Sequence, residues 1–120
     1  MKKILIVDDE PNIVMSLEYT FKKNNYEVFI ARDGQEALDI LKTNYPDVII
    51  LDVMMPMVDG YATLQQVKKD NNLQHTKVMF LSAKNKESDI EKGMSLGADA
   101  YLTKPFSIKK VVEKVEELLT

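Results

Sequence analysis

Five short apolar runs recur along the chain: Ile4 to Val7, Val28 to Ala31, Val48 to Leu51, Val78 to Leu81 and Ala100 to Leu102. Each has the length of a strand, and the segments between them carry helical spacing. The first, third and fourth runs are continuously apolar, as in strands covered by helices on both faces, so these three are predicted to be the central ones. Pro11 suits a first helical turn, and Ile13, Val14, Leu17 and Phe21 repeat on one face of helix one. Asp33 followed three residues later by Glu36 predicts a cap for helix two, with Ala37, Leu38 and Leu41 buried. Tyr61, Leu64 and Val67 mark a third helix after the turn at Asp59-Gly60, and Ile90 and Met94 a weaker fourth. Ser107 is expected to cap the fifth, whose stripe is Ile108, Val111, Val112, Val115, Leu118 and Leu119.

Fivefold alternation of strand and helix within 120 residues predicts a single α/β domain spanning residues 1–120. The expected architecture is a doubly wound, five-stranded parallel sheet of order 2-1-3-4-5. Such sheets bind ligands beyond the carboxyl ends of their strands, beside the point where strand order reverses. The polar residues at those ends are therefore the candidates for chemistry.

Asp8 and Asp9 follow the first run, Asp52 the third, Ser82 the fourth, and Lys104 comes shortly after the fifth. Singly, an Asp after a strand is an ordinary turn or cap residue. Together they place three carboxylates on one edge, where two unit charges about 4 Å apart repel by about 4 kcal/mol at an effective dielectric near 20. A few hard oxygen ligands with room for water suit Mg²⁺ and a phosphate group. In such a site a carboxylate can act as nucleophile and become an aspartyl phosphate, with a lysine neutralising the transferring oxygens. Asp52 stands alone at the end of a central strand and is the expected nucleophile. Asp8 and Asp9 are placed to hold the cation, and Ser82 and Lys104 to contact the phosphoryl group. A cis peptide at Lys104-Pro105 would aim the lysine into the cleft.

In these residues the chain resembles the receiver domains of bacterial response regulators, with their flavodoxin-like, CheY-like fold. The resemblance rests on Ile4 to Glu10, Val48 to Pro56 around Asp52, Asp59-Gly60, Leu81-Ser82-Ala83, Gly97-Ala98 and Tyr101 to Phe106, in order and at matching spacing. It implies Asp52 as phosphoacceptor, Asp8 and Asp9 with the Met54 backbone carbonyl as ligands of Mg²⁺ or Mn²⁺, and Ser82 and Lys104 as phosphoryl contacts. It further implies a sensor histidine kinase or phosphotransfer protein as donor and a downstream protein or effector domain as reader. Ser82 and Tyr101 would form the switch, read on the fourth helix, fifth strand and fifth helix. Met54 and Lys84 occupy the two positions that tune phosphoryl lifetime in this family, and a bulky methionine there is expected to prolong it. The chain would catalyse its own phosphorylation and dephosphorylation without being a turnover enzyme.

Composition narrows the alternatives. The absence of cysteine excludes disulfides and thiolate metal sites, and a cytoplasmic location is expected. The first apolar run ends at Asp8 after four residues, and no later run could span a bilayer. A formal charge of −3, with lysines only in scattered doublets, offers no surface for nucleic acid. An aspartyl phosphatase would carry a second acid where Met54 stands, and a flavin carrier a Ser/Thr/Gly-rich loop where Asp8 to Pro11 stand. A receiver used only for docking would not require the full set of acids, hydroxyl and lysine. The Met54, Met55 and Met57 cluster reads as gap-filling side chains rather than a copper site, and His75, without a partner, as a solvated loop residue. Asp99 is followed by Ala100, where relatives with winged-helix effectors often carry a second acid. A monomer is therefore expected ahead of a phosphorylation-dependent dimer.

Overall fold

The computed structural model describes residues 1–120. Its elements in chain order are β1 (Lys3–Val7), α1 (Pro11–Lys23), β2 (Glu27–Ala31), α2 (Gly34–Leu41), β3 (Val48–Leu51), α3 (Gly60–Lys69), β4 (Lys77–Ser82), α4 (Glu87–Ser95), β5 (Ala100–Thr103) and α5 (Ile108–Leu118). A single 3-10 turn at Asn71–Leu73 precedes β4. All five strands are parallel in the order β2-β1-β3-β4-β5. The three continuously apolar strands are the interior ones, as their composition demands, while β2 and β5 form the half-buried edges.

The alternation of side chains along each strand divides the core in two. Ile4, Ile6, Val48, Ile50, Met79 and Leu81 face one way and pack against Leu17 and Phe21 of α1 and Val111 and Val115 of α5. Leu5, Val7, Ile49, Leu51, Val78 and Phe80 face the other way, against Ala37 and Leu41 of α2 and Tyr61, Leu64 and Val67 of α3. Fully burying a side chain of this size contributes about 1.5–3 kcal/mol relative to leaving it in water, so the two layers supply most of the driving force.

Polar groups fix where the elements begin. Asp33, Asp59 and Ser107 cap their helices by accepting from the N–H of Glu36, Ala62 and Lys110 at 2.8, 2.8 and 3.1 Å. Asp47 and Asp99 accept the N–H of Lys3 and Val78, both at 2.8 Å, and so fasten the amino ends of β1 and β4. No buried side-chain nitrogen or oxygen lacks a hydrogen-bond partner.

Helix α4 packs differently from its expected pattern. Met94 is 42% exposed, and the helix meets the sheet through Gly93, where a Cβ would lie 3.0 Å from the rings of Phe80 and Tyr101. The two aromatics fill the space that a large residue on α4 would otherwise occupy. Gly93→Val is accordingly expected to destabilise the fold by about 1–3 kcal/mol through overpacking, exceeding the few tenths gained in helix propensity. Met94→Ala should stay within about 0.5 kcal/mol. Urea unfolding of both variants checks this, and the reverse ranking would contradict the packing described.

Candidate functional site

The register of the sheet brings the carboxyl ends of β1 and β3 to one level, with Val7 opposite Leu51. Backbone pairing continues one residue beyond each strand. The Asp8 N–H donates to the Ala31 carbonyl at 3.1 Å, and the Asp52 N–H to the Val7 carbonyl at 3.0 Å. Both aspartates are thereby held at their Cα atoms and project over the same edge. On the other side, the Lys104 N–H donates to the Ser82 carbonyl at 2.8 Å, just beyond the end of β5. The Lys104-Pro105 peptide bond is cis.

Gly60 holds the segment after β3 in place. Its N–H donates to the Val53 carbonyl at 2.9 Å, and a Cβ there would collide with the Asp52 carbonyl oxygen and lie 2.8 Å from Val53 Cα. The start of α3 can therefore press directly beneath the phosphoacceptor candidate only because this residue has no side chain.

Lys104 occupies the centre of the site. Its ammonium lies 3.0 Å from Asp8 Oδ2, 2.9 Å from Glu10 Oε1 and 3.5 Å from Asp52 Oδ2. The residues Asp8 and Asp52 are 3% and 5% exposed, whereas the Glu10 side chain is 56% exposed. One oxygen from each carboxylate lies within 4.8 Å of the others. Three carboxylates against one ammonium leave the group two charges negative. At an effective dielectric near 20, a pair of carboxylates at such a spacing repels by about 3–4 kcal/mol.

The acid–base properties reflect this crowding. Burial raises the Asp8 carboxyl above its ordinary value, opposed by the Glu10 N–H and Lys104 and reinforced by the charge of Asp52. Burial would lower the Lys104 ammonium, but its hydrogen bonds to Glu10 and Asp8 and the charge of Asp52 outweigh that and raise it. Lysine 104 is thus a fixed cation across the neutral range.

Asp9, expected from the sequence beside Asp8, is exposed at the rim. It borders an opening shared with Glu18 of α1 and Arg32 after β2. The third carboxylate of the group is Glu10, which the sequence reading passed over. The signal in sequence is an acid directly before Pro11 at the start of α1; in the structure the Glu10 side chain makes no cap bond and pairs with Lys104 instead. Met54 donates its N–H to Asp52 Oδ1 at 3.3 Å, while the residue is 59% exposed and lines a cleft with Lys84 and Lys92.

Ser82 is fully buried, and its Oγ accepts the Lys84 N–H at 3.2 Å. The Lys84 carbonyl in turn accepts from the Tyr101 hydroxyl at 2.8 Å. Ser82 and Tyr101 are thus tied through opposite ends of one residue. Burial pushes the Tyr101 hydroxyl up to about 12, so it remains a donor. Tyr101 packs on Phe80 with ring centroids 5.5 Å apart.

Residues 4–116 match the family model described as the response regulator receiver domain. Over 118 residues the chain is 43% identical to the alkaline phosphatase synthesis transcriptional regulatory protein PhoP of Bacillus subtilis (strain 168); the match covers 98% of this chain and 48% of that protein, so the chain spans about half of its length. The receiver domain of the Francisella response regulator 1452 superposes with a TM-score of 0.91 at 38% identity, covering 99% of this chain and 97% of that one. The chemotaxis response regulator CheY4 of Vibrio cholerae gives 0.93 at 31% identity, covering 99% of both. With its parallel sheet of order 2-1-3-4-5 and acids gathered at the carboxyl edge, the chain belongs to the response regulator receiver family of two-component signalling systems.

Proposed function

We propose that this domain, residues 1–120, accepts a phosphoryl group on Asp52 from a phosphohistidine of a sensor histidine kinase or phosphotransfer protein, in a reaction requiring Mg²⁺ or Mn²⁺. The observation that carries the assignment is a 5% exposed carboxylate, Asp52, facing a buried ammonium within a group that is two charges short of balance.

The donor set suits a hard divalent cation, because Asp8 and Asp52 are buried and the negative charge of the group exceeds what Lys104 supplies. Asp8, Asp9 and Asp52 with the Met54 carbonyl would hold it. When bound, the cation screens the carboxylates and draws charge from the transferring oxygens. An Asp52 oxygen attacks phosphorus as the bond to the donor's imidazole nitrogen breaks, and the histidine leaves with its electron pair. Lys104 hydrogen-bonds one phosphoryl oxygen, and the Ser82 hydroxyl donates to another. The same constellation serves hydrolysis, so the domain catalyses its own modification and its loss and turns over no external substrate.

Movement of the Ser82 hydroxyl towards the phosphoryl group takes an acceptor from the Lys84 N–H and loosens the residue whose carbonyl holds Tyr101. Inward rotation of Tyr101 then becomes a population shift, bounded by how much better the modified site fits the rearranged state. The face formed by α4, β5 and α5 presents the change to a downstream protein or effector domain. Asp99 is engaged within the chain by the Val78 N–H, which supports a monomer ahead of a phosphorylation-dependent dimer. No helix is long and apolar enough to cross a membrane, and the reading places the domain in the cytoplasm without direct contact to nucleic acid.

Mass spectrometry after incubation with acetyl phosphate or phosphoramidate is expected to show one added phosphoryl group that requires Mg²⁺ and is absent in Asp52→Asn. Turnover of phosphomonoesters, or modification that survives Asp52→Asn, would contradict the assignment.

We infer that Met54, two residues after Asp52 and joined to it through its own N–H, shields the phosphoryl group from water. Met54→Asn is therefore expected to shorten the phosphoryl half-life several-fold, and an unchanged or longer half-life in a decay time course would remove its shielding role.

Cation binding should also stabilise the fold, by about 2.7 kcal/mol at 100 times Kd. Asp8→Asn is expected to raise the melting temperature in EDTA and to weaken the Mg²⁺ response. Because the folded-state carboxyl is raised, wild-type Asp8 binds more protons folded than unfolded between the ordinary value of 3.8 and that raised value. Its penalty is thus full above the raised value and fades as pH falls towards 3.8. Melting curves across pH should show the gap between variant and wild type narrowing in acid; a gap that widens there would contradict the burial argument.

A further inference from the structure

The Lys104 ammonium has three protons, and its two shortest hydrogen bonds go to Asp8 at 3.0 Å and Glu10 at 2.9 Å, with Asp52 at 3.5 Å. In this state the lysine is drawn towards β1 and the start of α1, away from the carboxylate on which, in the reading above, the phosphoryl group is received. Asp8 is buried and fastened through its own N–H to Ala31 and through its Oδ1 to the Glu10 N–H. Glu10 is different. Its side chain is half exposed, has three rotatable bonds and no second partner, and can leave without opening the core.

We propose that Glu10 is a positioning residue: its carboxylate clamps Lys104 in a resting position and is exchanged for a phosphoryl oxygen when Asp52 is modified. The inference rests on the phosphoacceptor role of Asp52. Charge explains why the clamp belongs to one state and not the other. Asp8, Glu10 and Asp52 carry three negative charges against one on Lys104, and Asp9, which would share the cation, adds a fourth, so a divalent cation leaves an excess of one. A phosphoryl group adds about one further negative charge to Asp52, so the same cation then leaves an excess of about two. Outward rotation of Glu10 returns the excess to its earlier level and frees one ammonium proton for the new oxygen.

The released carboxylate also has a destination. Glu10 is the N-cap residue of α1, whose first turn contains no acid and whose cap position makes no side-chain hydrogen bond. The unpaired N–H groups and the positive end of the helix favour a carboxylate there. Glu10 therefore has two alternative partners, Lys104 and the start of α1, and modification of Asp52 shifts it from the first to the second.

Two variants separate the charge of Glu10 from its contact. Glu10→Ala removes both, whereas Glu10→Asp keeps the charge but is one methylene too short to preserve the 2.9 Å contact. Mg²⁺ affinity of the unphosphorylated protein is read by NMR titration, and the phosphorylation rate at saturating Mg²⁺ by mass spectrometry with phosphoramidate. For Glu10→Ala the expected result is Mg²⁺ binding weakened by about fivefold, the scale of a solvent-exposed charge contact, together with a maximal phosphorylation rate raised by a similar factor. Glu10→Asp should show the faster maximal rate with near-wild-type Mg²⁺ affinity. Loss of structure would depress both quantities, so opposite changes cannot arise from misfolding. A maximal rate in Glu10→Asp equal to or below wild type would overturn the clamp. Wild type in the same assay tests the phosphoacceptor reading separately, because a protein that gains no phosphoryl group fails at Asp52 before Glu10 is in question.

Discussion

One buried ammonium holds together a group of acids that would otherwise repel one another. Lys104 lies within 3.5 Å of carboxylates from Asp8, Glu10 and Asp52, which arrive from the ends of two central strands and the start of a helix. Apart from it, only the N–H groups of Glu10 and Met54, donating to Asp8 and Asp52, oppose their charge. The ammonium is itself poorly solvated, so each partner raises its proton affinity against the cost of burial. Such an arrangement is stable enough to fold and yet short of two positive charges. In the proposed function that deficit makes the site receptive to a divalent cation, which would in turn allow a carboxylate to accept an anionic phosphoryl group.

The rest of the fold serves to keep those acids together. The paired register of β1 and β3 places Asp8 and Asp52 side by side, and backbone bonds beyond both strands prevent the two from separating to relieve their repulsion. Gly60 lets α3 begin against the Asp52 backbone, a contact that any side chain would break. Gly93 performs a comparable role for the readout face by letting α4 approach Phe80 and Tyr101. The route from site to surface is short: Ser82, the Lys84 backbone and Tyr101 are joined by two hydrogen bonds. In the proposed switch a displacement of one hydroxyl therefore reaches an aromatic ring without a rearrangement of the core.

Much of this was legible in the sequence, for identifiable reasons. Continuous apolar runs distinguish strands buried on both faces, so Ile4 to Val7, Val48 to Leu51 and Val78 to Leu81 could be placed at the centre of the sheet. Once the order of strands follows, Asp8, Asp52, Ser82 and Lys104 must share an edge. What escaped depends on side-chain reach and on close packing. Asp9 and Glu10 are neighbours with the same charge, and periodicity does not say which of the two turns towards a lysine 94 residues further along. Met94 carries the helical apolar spacing of α4 but stays 42% exposed, because Phe80 and Tyr101 already fill the space beneath the helix. Gly60 reads in sequence as part of a turn and Gly93 carries no signal there, and the roles of both become visible only as distances.

Chemical trapping of the modified residue tests the central claim most directly. Borohydride reduces an acyl phosphate to the corresponding alcohol, so treatment of the phosphorylated protein followed by peptide sequencing reports which carboxylate carried the group. Homoserine at position 52, and at no other acid of the cluster, is the expected result. Homoserine at position 8 or 9, a reduced glutamate at position 10, or a phosphoryl group that resists borohydride would contradict the assignment of Asp52 as phosphoacceptor.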